Sequence, residues 1–136
     1  MNFVSVRIIT DDVPGLVAFY EHVTGLSARW ATPVFAEILT PSGTLAIAGT
    51  PTVALFAGAA RPADNHTAIL EFRVDDVDDE FARLTGESAR GWPADLVQPP
   101  TTMPWGNRSL LLRDPDGNLV NLFTPVTAEA LARIGG

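Results

Sequence analysis

The chain has 136 residues, 46% of them hydrophobic, no cysteine, and a formal charge of −7. That length and composition suit one compact domain with a substantial core, and the missing cysteines exclude disulfides, thiolate metal sites and a cysteine nucleophile. Acidity without a basic run argues against nucleic acid, and the absence of about 18 consecutive apolar residues argues against a membrane span. The N-terminus also lacks the charged start and apolar core of a signal peptide, so a cytoplasmic protein is expected.

In chain order, Phe3 to Thr10 alternates as a strand, with Val4, Val6 and Ile8 on one face and Ser5, Arg7 and Ile9 on the other. Asp11 or Asp12 supplies the cap of a helix with Pro14 in its first turn. Leu16, Phe19, Tyr20 and Val23 have helical spacing, and Gly25 ends the run. Ser27 to Trp30, Val34 to Thr40 and Thr44 to Ala48 follow as short strands, the last two joined by a turn at Pro41-Ser42-Gly43. The apolar run Val53 to Phe56 is expected to extend this sheet, and Ala57 to Asn65 forms a linker.

The plan then repeats: a strand at Thr67 to Val74, and a helix at Asp76 to Leu84 with Val77, Phe81 and Leu84 inward. Further strands fall at Ser88 to Val97, Arg108 to Arg113 and Asn118 to Phe123, with a strong turn signal at Asp114-Pro115-Asp116-Gly117. Gln98 to Asn107, rich in Pro and Thr, is expected to be a long loop that walls a binding site. Thr127 caps a short final helix through Ile134. Asp11-Asp12-Val13 recurs as Asp75-Asp76-Val77, Pro41-Ser42-Gly43 as Pro115-Asp116-Gly117, and Thr50-Pro51 as Thr124-Pro125. The expectation is an α+β domain spanning 1–136, made of two βαβββ modules at 1–60 and 64–126 and a C-terminal helix and tail at 127–136.

Two βαβββ units, Asp-Asp-Val before each helix, Phe19-Tyr20 in the first helix, and Asp114-Pro115-Asp116-Gly117-Asn118-Leu119-Val120-Asn121-Leu122-Phe123 preceded by Pro104-Trp105-Gly106-Asn107-Arg108 resemble the vicinal oxygen chelate superfamily. That group includes glyoxalase I, extradiol dioxygenases, bleomycin-resistance proteins and fosfomycin-resistance enzymes. The resemblance implies that each mixed sheet curls into a cup, that a partner chain completes the cups in a homodimer, and that a divalent metal is held by His, Gln and Glu ligands. Carried over one at a time, the ligand positions fall on Ser5, Ile47, Ile69 and Asn121. None is a good ligand, so no metal or other cofactor is expected. His22 suits the end of the first helix, and His66 lies three residues ahead of Ile69.

If Ser5 and Ile69 face the cup, so do Arg7 and Glu71, two residues on, either as an ion pair joining the units or as groups meeting a polar ligand. Glu37 is a further candidate on its strand. Trp30, Trp92 and Trp105 offer flat apolar surface, with Trp30 and Trp92 as repeat equivalents. Trp105 and Met103 belong to the expected loop, and Arg108 begins the next strand, where it suits a ligand carboxylate or carbonyl. Phe35, Phe56 and Phe123 offer apolar lining. The ligand-binding set is thus Arg7, Trp30, Glu37, Glu71, Met103, Trp105, Arg108 and Asn121, with no catalytic residue assigned because no nucleophile has a base beside it.

Three functions follow. The first, by resemblance to the bleomycin-resistance branch, is metal-free sequestration of an aromatic or cationic organic compound, as in antibiotic resistance. The second is a glyoxalase- or dioxygenase-like lyase, isomerase or oxygenase, with a non-standard metal site at His66, Glu71 and Glu37 or acid–base chemistry by Glu71 or Glu37. The third is a dimeric accessory module that binds a protein.

Overall fold

A computed structural model describes residues 1–86 and 95–134. The chain forms two compact units, Met1–Asn65 and His66–Gly136. In the first, strand β1 (Ser5–Thr10) leads into helix α1 (Val13–Thr24), then β2 (Arg29–Thr32), β3 (Phe35–Leu39) and β4 (Thr44–Gly49). The strand order is β1-β4-β3-β2, with β1 parallel to β4 and the remaining pairs antiparallel. The second unit repeats it: β5 (Ile69–Arg73), α2 (Val77–Thr85), β6 (Asp95–Thr102), β7 (Asn107–Arg113) and β8 (Leu119–Pro125), in the order β5-β8-β7-β6. Helix α3 (Ala128–Arg133) closes the chain. Both sheets are open and mixed, as expected of two βαβββ modules in an α+β fold.

The helices begin and end for local reasons. The Asp12 carboxylate accepts from Gly15 N at 3.0 Å, and Gly25, at φ 70°, donates its N–H to Glu21 O. Asp76 caps α2 by accepting from Asp78 N and Asp79 N, and Thr127 caps α3 through Ala130 N. Leu16, Val17, Phe19, Tyr20 and Val23 form the buried stripe of α1, and Val77 and Leu84 are buried on α2.

Register assigns a face to each strand residue, because residues opposed across a ladder share a side of the sheet. Val6, Leu45 and Ile38 align, as do Ile8, Ile47 and Ala36. These bulky groups meet the apolar stripe of α1. Arg7, Ala46, Glu37 and Arg29 align on the other face, across all four strands. In the second unit Leu70, Val120 and Leu112 share the α2 face with Phe72, Leu122 and Leu110. Glu71, Asn121, Leu111 and Gln98 align on the face opposite.

Three expectations are corrected. Val53 to Phe56 does not extend the sheet: Thr50–Phe56 is a 3-10 helix, because Pro51 cannot continue a ladder and the Thr52 hydroxyl donates back to Gly49 O at 2.8 Å. Gln98 to Asn107 is not a long loop, since β6 runs through Pro99 and Pro100 to Thr102. A strand at the sheet edge tolerates prolines, and its register is irregular between Leu96 and Thr101. The connection shrinks to residues 103–106, pinned by Gly106 N donating to Met103 O. Finally, the partner of Asn121 in the first unit is Ala46 and not Ile47. The β7–β8 turn, Asp114–Asn118, is one residue longer than the β3–β4 turn, Thr40–Gly43, so matching the two turn glycines slips the register by one. Of the strand expected at Ser88 to Val97, residues 88–94, Trp92 among them, lie outside the described residues, and residues 95–97 belong to β6.

Candidate functional site

Glu71 and Asn121 sit side by side on the second sheet's open face, on the edge strand β5 and its parallel neighbour β8. Asn121 Nδ2 donates to Glu71 Oε2 at 2.9 Å. Asn121 is 8% exposed, and its Oδ1 is buried without a hydrogen-bond partner. An unpaired buried acceptor is costly, and that oxygen is shielded, so the group this pair offers to a donor-rich or cationic partner is the exposed Glu71 carboxylate, held in place by the amide.

The first unit's open face carries a different chemistry. The Arg7 guanidinium carbon lies 4.9 Å from the Phe35 ring centroid and 5.3 Å from that of Phe56. Phe35 is two residues before Glu37 on β3, so both face Arg7's side of the sheet, and the 3-10 helix brings in Phe56. Glu37 is bound to Arg29 at 3.0 Å. Of these two repeat-equivalent residues, Arg7 thus contacts rings and Glu71 accepts from an amide, each within its own unit.

The other candidates are placed elsewhere. Trp30 opposes Ala36, so it lies on the α1 face and is 45% exposed. Arg108 also lies on its helix face, where Nε and Nη2 grip both oxygens of Asp78 at 2.8 and 3.0 Å. This bond holds the Asp78 carboxyl below the usual carboxylate range and raises Arg108. Arg108 is therefore a strap between β7 and α2, a role that sequence spacing missed because Asp78 is 30 residues away. Met103 and Trp105 lie in the β6–β7 turn. The carbonyl of Trp105 accepts from Arg133, and its side chain is 57% exposed.

The residues present do not fit a divalent metal. Ser5, Ala46, Ile69 and Asn121 offer one hydroxyl and one amide, and Ile47 points to the helix face. No three His, Cys, Asp or Glu side chains cluster for a metal among the described residues. His22 is half-buried in the last turn of α1, and His66 is exposed before β5. A separate open cavity of about 240 Å³ in the first unit is lined by Thr10, Asp11, Pro14, Pro33 and Pro51 among others. None of the candidate residues lines it.

The family model for the Glyoxalase/Bleomycin resistance protein/Dioxygenase superfamily matches residues 2–122. Among solved structures, a glyoxalase/bleomycin resistance protein/dioxygenase from Nocardioides is 22% identical with a TM-score of 0.72, covering 94% of this chain and 85% of its own. A family enzyme from Burkholderia phytofirmans PsJN is 20% identical with a TM-score of 0.75, covering 90% and 97%. A glyoxalase-related enzyme from Fulvimarina pelagi is 18% identical with a TM-score of 0.73, covering 94% of each chain. At these identities the likeness shows the fold alone. No curated protein matches the chain.

Proposed function

The chain belongs to the Glyoxalase/Bleomycin resistance protein/Dioxygenase superfamily, and from that premise we propose that it is a metal-free small-molecule binding protein that sequesters a cationic or aromatic organic compound. The observation that carries this reading is the Glu71–Asn121 pair. At the position where the resemblance implies a carboxylate ligand, a neutral amide is tied to Glu71 and holds a buried, unpartnered oxygen. The exposed Glu71 carboxylate, oriented by the amide, suits the N–H groups of an amidinium or ammonium, and a single carboxylate is too few ligands for a bare divalent ion. The chain's net charge of −7 favours the approach of a cation.

Benzamidinium against its neutral analogue benzamide is the direct test, by calorimetry on the full chain. The cation should bind about tenfold more tightly, and Glu71→Gln should erase the difference. A Glu71→Gln variant that keeps the preference refutes the reading. Native mass spectrometry before and after chelator completes the test. A dimer without metal that accepts an organic compound supports the reading, as a homodimer belongs to it. A stoichiometric metal removed by chelator refutes it.

A glyoxalase- or dioxygenase-like enzyme is the second reading, favoured by the same geometry. An amide that orients one carboxylate oxygen leaves the other, Oε1, available as a general base. Turnover abolished in Glu71→Gln while binding persists separates it from sequestration.

A further inference from the structure

We propose that Arg7, held against Phe35 and Phe56 on the open face of the first sheet, is a binding site for the carboxylate of a small molecule with an apolar body. Acidic groups outnumber basic ones 16 to 9 in this chain, so an arginine side chain that meets no acceptor is notable. Arg29, Arg61, Arg83 and Arg108 each hold an acidic partner, and Arg113 and Arg133 donate to the carbonyls of Gly117 and Trp105. The Arg7 side chain makes no ion pair or hydrogen bond among the described residues.

Its ring contacts fix the cation without satisfying its donors. A phenyl ring attracts the charge but provides no lone pair for the five N–H groups. Phe35 and Phe56, at 4.9 and 5.3 Å from the guanidinium carbon, restrict the side chain before any ligand arrives. Less rotamer entropy is then lost on binding, and the planar fork stays available for two parallel hydrogen bonds to one carboxylate.

The neighbours define the rest of the ligand. Ala46, Arg7's partner on β4, and Ala48 beyond it on the same face are buried and place no polar side chain beneath the fork. Past Ala46, Glu37 is neutralised by Arg29. Phe56 and Leu55 are 59% and 85% exposed at the end of the 3-10 helix. An acid with an aromatic or aliphatic body places its charge on Arg7 and its carbon skeleton on these groups. Arg73 also lacks a partner among the described residues, but no ring holds it.

The site is independent of the reading given for Glu71 and Asn121, because each is tested by a probe of opposite charge. Calorimetry with phenylacetate and its neutral isostere phenylacetamide reads the Arg7 site on the unaltered protein. Phenylacetate should bind at least about tenfold more tightly than the amide. Arg7→Gln should remove that preference, Arg7→Lys should keep part of it, and Phe56→Ala should weaken both probes. Glu71→Gln should leave the phenylacetate preference intact. Equal binding of acid and amide, no binding of either at millimolar concentration, or a preference that survives Arg7→Gln overturns the proposal. The acid–amide comparison needs no variant, so it decides the matter even where a substitution disturbs folding.

Discussion

Asn121→Asp converts the amide on Glu71 into a second carboxyl of nearly the same shape. Nδ2 lies 2.9 Å from Glu71 Oε2, so the substitution replaces a charge-assisted hydrogen bond with two facing oxygens. Two like charges about 4 Å apart repel by about 4 kcal/mol at an effective dielectric near 20. Glu71 is exposed, so water and salt reduce this to about 1–2 kcal/mol. The lost hydrogen bond adds about 1–2 kcal/mol, for a total of about 2–4 kcal/mol at neutral pH. The new carboxyl's pKa is raised in the folded state by Glu71. Its stability is therefore present below the ordinary carboxylate range and is lost as the pH rises through the raised value. Urea denaturation of both proteins at pH about 4.5 and about 7.5 measures this. Most of the deficit should disappear at the lower pH, where one shared proton restores a hydrogen bond. Asn121→Leu serves as control. It loses the bond but also removes a buried unsatisfied oxygen, so its stability should lie within about 1 kcal/mol of the parent at both pH values. An Asn121→Asp deficit of equal size at both pH values refutes the pairing of these two side chains.

Gly106, at φ 91°, faces Thr127, and an added methyl would overlap Thr127 Oγ1 and press on Ala130 Cβ. Gly106→Ala should cost about 2–4 kcal/mol in denaturant unfolding, from backbone strain plus overpacking. Asp114 is 4% exposed and accepts from Asp116 N, Asn118 N and Asn118 Nδ2. Asp114→Ala should therefore lower stability by about 2–4 kcal/mol by the same measurement. Arg108 lowers the Asp78 pKa by hydrogen bonding, so their pair stabilises the fold above the ordinary Asp range and loses this effect as pH falls through the lowered value. The stability gap between parent and Arg108→Ala should accordingly narrow on acidification, and a gap independent of pH counts against the pair.

What the sequence made legible was what local chemistry determines. Asp12 and Asp76, the second aspartate of each Asp-Asp-Val, cap their helices, and Gly25 takes the left-handed conformation that ends α1. The strand pattern was legible wherever one face is apolar. It failed at β6, because Pro99 and Pro100 suggest a loop to any local rule, while an edge strand needs only one row of hydrogen bonds. It fails again at Val53 to Phe56, where an apolar run suggests a sheet although only Val53 is buried. Glu71 and Asn121 both stand out in the sequence, yet their contact depends on the β5–β8 register, which no motif encodes. The Asp78 partner of Arg108 went unseen for the same reason: the two meet only once α2 packs on the second sheet.

The internal repeat explains why matched positions carry unmatched chemistry. Duplication preserves what each unit needs to fold: a capped helix, a parallel pair flanked by antiparallel strands, and a bulky row beneath the helix. The open face has no such duty, so its residues are free to diverge. Arg7 and Glu71 hold equivalent places and have opposite charge. Ala46 and Asn121 hold the next places, one a bare methyl and the other a hydrogen-bonding amide. Arg7 and Glu71 are exposed, so neither charge carries the cost of burial and packing leaves both free to vary. The two faces therefore differ in chemistry, an arginine held by rings on one sheet and a carboxylate held by an amide on the other, and probes of opposite charge test them separately.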